Sequence, residues 1–295
     1  MIRALVIGSV AFSRHLLSTL IKTDVDLCGV ICKPKSNFNT DFAPLGDLAR
    51  NANIPYLQVM TLRDASAIEW IKAKKPDIIF CIGWSEILDS NILAIPPQGV
   101  IGYHPTLLPR NRGRHPIIWA LALGLKKTGS TFFLMDEGAD SGPILSQERI
   151  LISEDMNAQS LYFEITQTAA RQIRELIEQF NTNTISAQPQ DHSQATYWRK
   201  RKASDGKIDW RMHSTSIRNL VRALSHPYPG ADSDGPTGCF KIWDLEINKD
   251  SSPDIEPGHV LFVDKNQFKV KTGDGSVTVT KHNLKKLPKK HDTLL

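Results

Sequence analysis

Over roughly the first 180 residues, strand-like runs alternate with helical segments, and this alternation limits the fold more than any other feature. Residues 3–10, 27–32, 76–83 and 99–103 are apolar runs of strand length. Between them, residues 12–21, 45–51 and 65–74 place apolar side chains at helical spacing. Strands separated by helices are βαβ units, so the pattern predicts an α/β fold with a doubly wound, mostly parallel, Rossmann-like sheet. Residues 130–134 and 143–152 add two strands. Residues 157–180 follow as a long amphipathic helix, with Leu161, Ile165, Ala169, Ile173, Leu176 and Phe180 on one face. Residues 181–195 are polar and aperiodic, which suits a linker. A helical segment at 214–224 and short strands at 239–245, 259–263, 268–271 and 276–281 then predict a smaller C-terminal β-rich domain. The expected boundaries are 1–182, a linker at 183–198, and 199–295.

Several function classes drop out early. No stretch of about 18 consecutive apolar residues exists, as a membrane-spanning helix would need. The start, Met1-Ile2-Arg3-Ala4-Leu5-Val6-Ile7-Gly8, lacks the features of a signal peptide, so the cytoplasm is the expected compartment. Cys28, Cys32, Cys81 and Cys239 are scattered, and three lie inside apolar runs, as buried small hydrophobes do. The nine His show no ligand spacing, and no metal is expected. Gly8-Ser9-Val10-Ala11-Phe12-Ser13 follows the first strand but is not a G-x-G-x-x-G dinucleotide fingerprint, which disfavours a Rossmann oxidoreductase. The net charge of +5 is uneven. Residues 1–198 hold 18 Lys and Arg against 19 Asp and Glu, whereas residues 199–295 hold 18 against 12. A basic C-terminal portion suits nucleic acid or a phosphorylated substrate, and a solvated surface is the reading that charge alone favours.

The residues that carry chemistry cluster after the strand at 99–103. Tyr103-His104-Pro105-Thr106-Leu107-Leu108-Pro109 leads into Arg110-Asn111-Arg112-Gly113-Arg114-His115-Pro116, where an α/β sheet opens its binding crevice. About thirty residues on, Met135-Asp136-Glu137-Gly138-Ala139-Asp140-Ser141-Gly142 forms an acidic, glycine-punctuated loop between two strands. Its carboxylates serve either as turn formers or as the partner that orients His104 for proton transfer, and spacing leaves both open.

His104-Pro-Thr-Leu-Leu-Pro109 with Arg112-Gly113 resembles the H-x-S-L-L-P-x-x-R-G signature of 10-formyltetrahydrofolate-dependent formyltransferases. The 135–142 loop is similar to that family's second loop, which ends in its catalytic Asp. Asp205-Gly206-Lys207-Ile208-Asp209-Trp210, Arg222-Ala223-Leu224 and Pro227-Tyr228-Pro229-Gly230-Ala231 resemble the C-terminal part of methionyl-tRNA formyltransferases and their nucleotide-sugar relatives. Pro257-Gly258 and Thr272-Gly273-Asp274-Gly275 continue the likeness, which spans nearly the whole chain in order.

The resemblance implies the formyltransferase fold and transfer of a formyl group from 10-formyltetrahydrofolate to a primary amine. It makes His104 and Asp140 catalytic: His104 polarises the formyl oxygen or shuttles a proton, and Asp140 holds His104 and accepts charge. It places the folate against Gly83, Trp84, Ile87, Leu88, Asp136 and Ala139, although a core role for Trp84 is as good a reading. The family's third residue, an Asn two positions before the His, is Gly102 here. Either Tyr103 or Asn111 substitutes, or catalysis runs with a smaller electrostatic contribution, or the chain is a weakened ligand-binding relative.

Two amines compete. A methionyl-tRNA formyltransferase needs a basic loop for the acceptor stem, and residues 33–44 hold two Lys against one Asp, a poor clamp for RNA. Arg112-Gly113-Arg114-His115-Pro116-Ile117-Ile118-Trp119 and Phe132-Phe133 resemble the N-formyltransferases that act on UDP- or dTDP-linked amino-deoxysugars. Arg112 and Arg114 then become candidates for the diphosphate, whose oxygens match an Arg fork; a surface salt bridge is the plainer alternative. Tyr228 becomes a candidate for stacking on the nucleotide base, or is a packed turn aromatic. A homodimer stays open, and nucleic acid and membrane are not expected partners.

Overall fold

A computed structural model of the protein describes residues 1–35, 40–236, 238–248 and 253–295. Residues 36–39 of the stretch weighed above as an RNA clamp lie outside the described residues. The chain divides into two compact units. The first comprises Met1–Pro116, Thr128–Ile150 and Phe163–Trp198, and the second Ile117–Lys127, Leu151–Tyr162 and Arg199–Leu295.

In chain order the strands of the first unit are β1 (Arg3–Ile7), β2 (Asp26–Cys32), β3 (Tyr56–Gln58), β4 (Ile78–Cys81), β5 (Val100–His104), β6 (Arg112–Gly113), β7 (Lys127–Leu134), β8 (Ile144–Leu151) and β9 (Tyr197–Trp198). Helices α1 (Ala11–Leu20), α2 (Gly46–Asn51), α3 (Ala65–Lys74) and α4 (Ser90–Leu93) connect the early strands. Seven strands form one sheet in the order β3-β2-β1-β4-β5-β7-β8. Its first five strands run parallel, and β7 joins β5 antiparallel with His104 opposite Thr131. Val, Ile, Phe and Cys fill β1, β2 and β4 on both faces, as a sheet covered on both sides requires.

The strand order reverses between β1 and β4, and their carboxyl ends mark the crevice of such a sheet. Backbones come unusually close there. Ser13, in the first turn of α1, donates its hydroxyl to the Ile82 carbonyl at 2.6 Å. A Cβ on Gly8 would overlap that carbonyl, and one on Gly83, at φ +67°, would overlap Val10. Glycine at both positions is therefore a packing requirement of the crevice.

Two further helices follow, α5 (Pro116–Ala122) and α6 (Ala158–Thr182). The stripe expected on α6 is buried, from Leu161 through Phe180. Among the buried polar residues of this helix, Gln172 is fully enclosed, accepting from the Ser130 hydroxyl at 2.5 Å and donating to the Ser130 carbonyl at 3.1 Å. The second unit contains α7 (Ser214–Ala223) and an antiparallel sheet, β10 (Ala231–Gly235), β11 (Gly238–Asn248), β12 (Val260–Asp264), β13 (Gln267–Lys271) and β14 (Ser276–His282), in the order β10-β11-β14-β13-β12. The Thr272-Gly273-Asp274-Gly275 turn has a structural task in this unit. Asp274 accepts the Ser214 backbone N–H at 2.7 Å and so caps the start of α7 from another loop. That N–H holds the Asp274 carboxyl below its ordinary range.

Residues 183–198 are not a free linker: they pack with the first unit, and β9 pairs parallel with β6. Among the described residues no helix is long and apolar enough to cross a membrane. Cys28, Cys32 and Cys81 are buried and Cys239 is exposed. Burial pushes the thiols of Cys28 up to about 11 and Cys81 up to about 12, so both stay protonated and unreactive at neutral pH. A thiol-specific reagent at pH 8 is therefore expected to label Cys239 in the native protein and all four cysteines once guanidinium is added. Mass mapping checks this, and native labelling at Cys28 or Cys81 would contradict it.

Candidate active site

His104 ends β5, one strand from the switch point, and is only 4% exposed. Its carbonyl accepts the Thr106 N–H at 2.9 Å, and Thr106 is tied by its own carbonyl to the Thr131 hydroxyl and by its hydroxyl to the Arg110 carbonyl. The loop after the strand is thus fastened to β7 before it reaches Asn111. There the ring of His104 is caught: Nε2 lies 2.8 Å from the Asn111 carbonyl oxygen. A carbonyl only accepts, so Nε2 carries a proton, and Nδ1 is the nitrogen that faces Asp140 Oδ2, 3.6 Å away. Asp140 itself accepts the Gly113 N–H at 2.9 Å through the same Oδ2.

This arrangement has a direct chemical consequence. With Nε2–H spent on a fixed carbonyl, a second proton enters the ring at Nδ1, where it meets a carboxylate. A His facing a carboxylate in this way is an arrangement that acid–base chemistry can use. By spacing alone, Asp140 is either a turn former or the partner of His104. The loop in fact does both: Asp136 is the turn former, accepting the Gly138 N–H at 3.0 Å and the Ser141 hydroxyl at 2.6 Å, and Asp140 points at the imidazole.

The other expected site residues separate. Gly83 and Ile87 are exposed at the crevice, and Ala139 is exposed on the second loop. Leu88 is buried in the core, so its side chain is unavailable to a ligand. Trp84 packs partly against that core and carries the Lys33 ammonium 4.7 Å from its ring centre; its Nε1 is buried without a partner. Lys33 is fixed in turn by Glu86 at 2.9 Å. Burial works against the Glu86 charge, but hydrogen bonds from Lys33, Thr61 and the Leu62 N–H outweigh it and hold the carboxyl below its usual value. Asp136, turned into its own loop, offers a ligand its backbone more readily than its carboxylate.

The two arginines divide sharply. Arg112 is 1% exposed, with its guanidinium taken up by Gln190 Oε1, the Tyr197 hydroxyl and His192 Nδ1. The expectation that it meets a diphosphate is revised, because no part of the fork faces solvent. Arg114 is exposed and reaches the Ser85 carbonyl at 3.2 Å, which sets it beside the Gly83–Leu88 segment. Tyr228 belongs to the second unit, where its N–H donates to the Ser225 carbonyl. Gln190 carries no signal in the sequence, since a polar aperiodic stretch gives no sign of burial.

Gly102 has a structural explanation. A Cβ there would lie 2.8 Å from both Met135 Cγ and Phe133 Cζ. Those side chains fill the space a residue-102 side chain needs. Tyr103 cannot stand in for the missing Asn, because it packs half-buried against Phe12 and Phe132 with its hydroxyl on Ser130 at 2.8 Å. Asn111 is the polar residue left beside His104. We expect Gly102→Asn alone to lower both melting temperature and turnover. Paired with Phe133→Ala, it regains stability as the added side chain fills the vacated space; a single variant as stable and active as the parent would contradict the crowding.

A mostly parallel α/β sheet thus carries, at the end of its fifth strand, a buried His that faces a partly exposed carboxylate. The formyl transferase family matches residues 2–177 and the formyl transferase C-terminal domain matches residues 200–291, so the chain belongs to the formyltransferases. It is an N-formyltransferase whose formyl donor is 10-formyltetrahydrofolate. A methionyl-tRNA formyltransferase of Alkaliphilus oremlandii is 32% identical over 276 residues, covering 92% of this chain and 88% of the relative. Two solved structures share the fold at TM-score 0.69. WlaRD, a sugar 3N-formyltransferase in the presence of dTDP and 5-N-formyltetrahydrofolate, is 19% identical and matches over 97% of this chain and 99% of its own. The N-formyltransferase of Helicobacter canadensis with folinic acid and dTDP-3-aminofucose is 17% identical over 96% and 100%. Among the described residues, no group of three or more His, Cys, Asp and Glu is placed to hold a metal ion.

Proposed function

We propose that the enzyme formylates the primary amine of a nucleotide-linked amino-deoxysugar, a UDP- or dTDP-sugar, in the cytoplasm, for use in building a surface glycan. The observation that carries this reading is the end-to-end likeness to two sugar N-formyltransferases, which this chain matches over 99% and 100% of their lengths. Exposed Arg114 beside Ser85 supplies a fork for the diphosphate. Tyr228 remains the candidate for the base, and pairing of two copies remains part of the proposal.

The donor lies against the Gly83–Ile87 segment and the Asp136–Ala139 loop, where a folate ring meets exposed backbone donors and acceptors. The amine nitrogen attacks the formyl carbon, and its proton passes to the His104–Asp140 pair. With both ring nitrogens of His104 engaged, the Asn111 side-chain amide is the donor left for the oxygen that becomes negative, and the pair returns the proton to N10 of the folate as it leaves. A second reading, formylation of methionyl-tRNA, is favoured by the 32% identity to an enzyme of that activity.

The test follows tetrahydrofolate release from 10-formyltetrahydrofolate with a panel of UDP- and dTDP-3-amino and 4-amino sugars, and with charged methionyl-tRNA alongside. Turnover with one sugar nucleotide supports the proposal. Turnover with tRNA only replaces the acceptor and keeps the chemistry. Saturable binding of folate and sugar nucleotide without turnover would make the chain a weakened, ligand-binding relative.

A further inference from the structure

The geometry points to Gln190 as a positioning residue of the active site: its side-chain amide, anchored on the buried Arg112 guanidinium, holds the Asp140 loop in register with His104. This rests on the reading of Asp140 as a catalytic group. Gln190 is 6% exposed and sits in the stretch whose composition suggests a linker. Its Nε2 donates to two backbone carbonyls of the loop, Asp140 at 3.0 Å and Gly142 at 2.6 Å. Its Oε1 accepts from Arg112 twice, from Nε at 3.2 Å and from Nη2 at 2.6 Å. The amide has one possible orientation, since a guanidinium only donates and a carbonyl only accepts.

Two oddities of the site follow from this bridge. Asp140 is a non-glycine residue at φ +54°, a conformation that persists only where its surroundings impose it. The Gly113 N–H fixes its carboxylate and Gln190 fixes its backbone, so both ends are held. Arg112 is a fully buried cation whose partners are an amide, a phenol and an imidazole, with no carboxylate among the described residues. Such a charge is costly to bury. What it does here is polarise the Gln190 amide, which strengthens the donor end that grips the loop.

The discriminating variant is Gln190→Glu, which keeps the size and the Arg112 partner but sets a carboxylate oxygen against the two loop carbonyls. Expected results are hydrogen exchange in 136–142 at least tenfold faster, and kcat lower by about 30- to 100-fold, the order of loss that small misplacements cause. The KM for 10-formyltetrahydrofolate should move far less than kcat, and the pH–rate profile should shift because the His104–Asp140 spacing changes. Tyr197→Phe removes another Arg112 contact without touching the loop and keeps wild-type kcat. Exchange needs no acceptor, and kcat is read with whichever acceptor the wild type turns over. If Gln190→Glu proves unstable, exchange in Gln190→Met decides. Wild-type exchange in 136–142 with unchanged kcat would overturn the inference. Asp140→Asn, run in parallel, separates the two ideas: full activity there defeats the catalytic reading itself, whereas loss there with an unaffected Gln190→Glu defeats only the positioning role.

Discussion

His104→Ala is expected to lower kcat/KM for formyl transfer by about 10²- to 10⁴-fold, the usual contribution of a placed acid–base group. The ring is the point where the two loops meet, with the Asn111 carbonyl on Nε2 and the Asp140 carboxylate facing Nδ1. Without it the amine's proton has no relay, and Asp140 faces an empty space. Stability changes less. The Asn111 carbonyl loses one partner, at a cost of about 1–3 kcal/mol if water does not replace it, and the rest of the loop stays tied through Thr106 and Thr131. Steady-state kinetics with a melting curve on the same sample check this. A folded His104→Ala enzyme within tenfold of wild type would remove His104 from the mechanism.

The second large effect belongs to a residue without a side chain. Gly113→Ala is expected to cost both stability and turnover. Gly113 sits at φ +106°, where an L-residue is strained, and a Cβ there would run into the Trp198 carbonyl oxygen in the paired strand. The obstacle is backbone, so no rotamer change relieves it. Strain of this kind costs about 1–3 kcal/mol before the overlap is counted. Strands β6 and β9 must part, and the Gly113 N–H then moves away from Asp140 Oδ2. We expect a fall in melting temperature of several degrees and a loss of kcat of about 10²-fold, in line with the effect of ångström-scale misplacement. Unchanged kcat in a destabilised variant would show that Asp140 holds its place without this N–H.

These two positions also show how unevenly the site could be read beforehand. His104 stands out as a His at the end of a buried strand, whereas only the resemblance to the formyltransferases singles out Asp140 among the carboxylates of its loop. Gly113 sits inside a recognisable motif, but its reason, a neighbouring carbonyl contributed from 85 positions away, is a matter of packing. Arg112 misled: exposed and buried arginines look alike in sequence, and only the partners collected around it, Gln190, His192 and Tyr197, distinguish a structural cation from a phosphate clamp. Gly102 looked like a lost catalytic group, and the structure shows instead a position crowded by Phe133 and Met135.

What the sequence by itself determined is the local order of the chain: period-2 and period-3.6 apolar patterns, and hence the strands β1, β2, β4 and β5, the helix α6 and the β-rich C-terminal part. These depend on near neighbours, whose spacing is written in the chain. Short elements such as β3, β6 and β9 carry too few residues to show a period. The tertiary structure alone decided that a polar stretch near residue 190 is interior, that Arg112 is buried, and that two loops 36 residues apart bring His104 and Asp140 face to face. Each of these is a long-range contact, made because a buried polar group must find a partner wherever the fold brings one within reach.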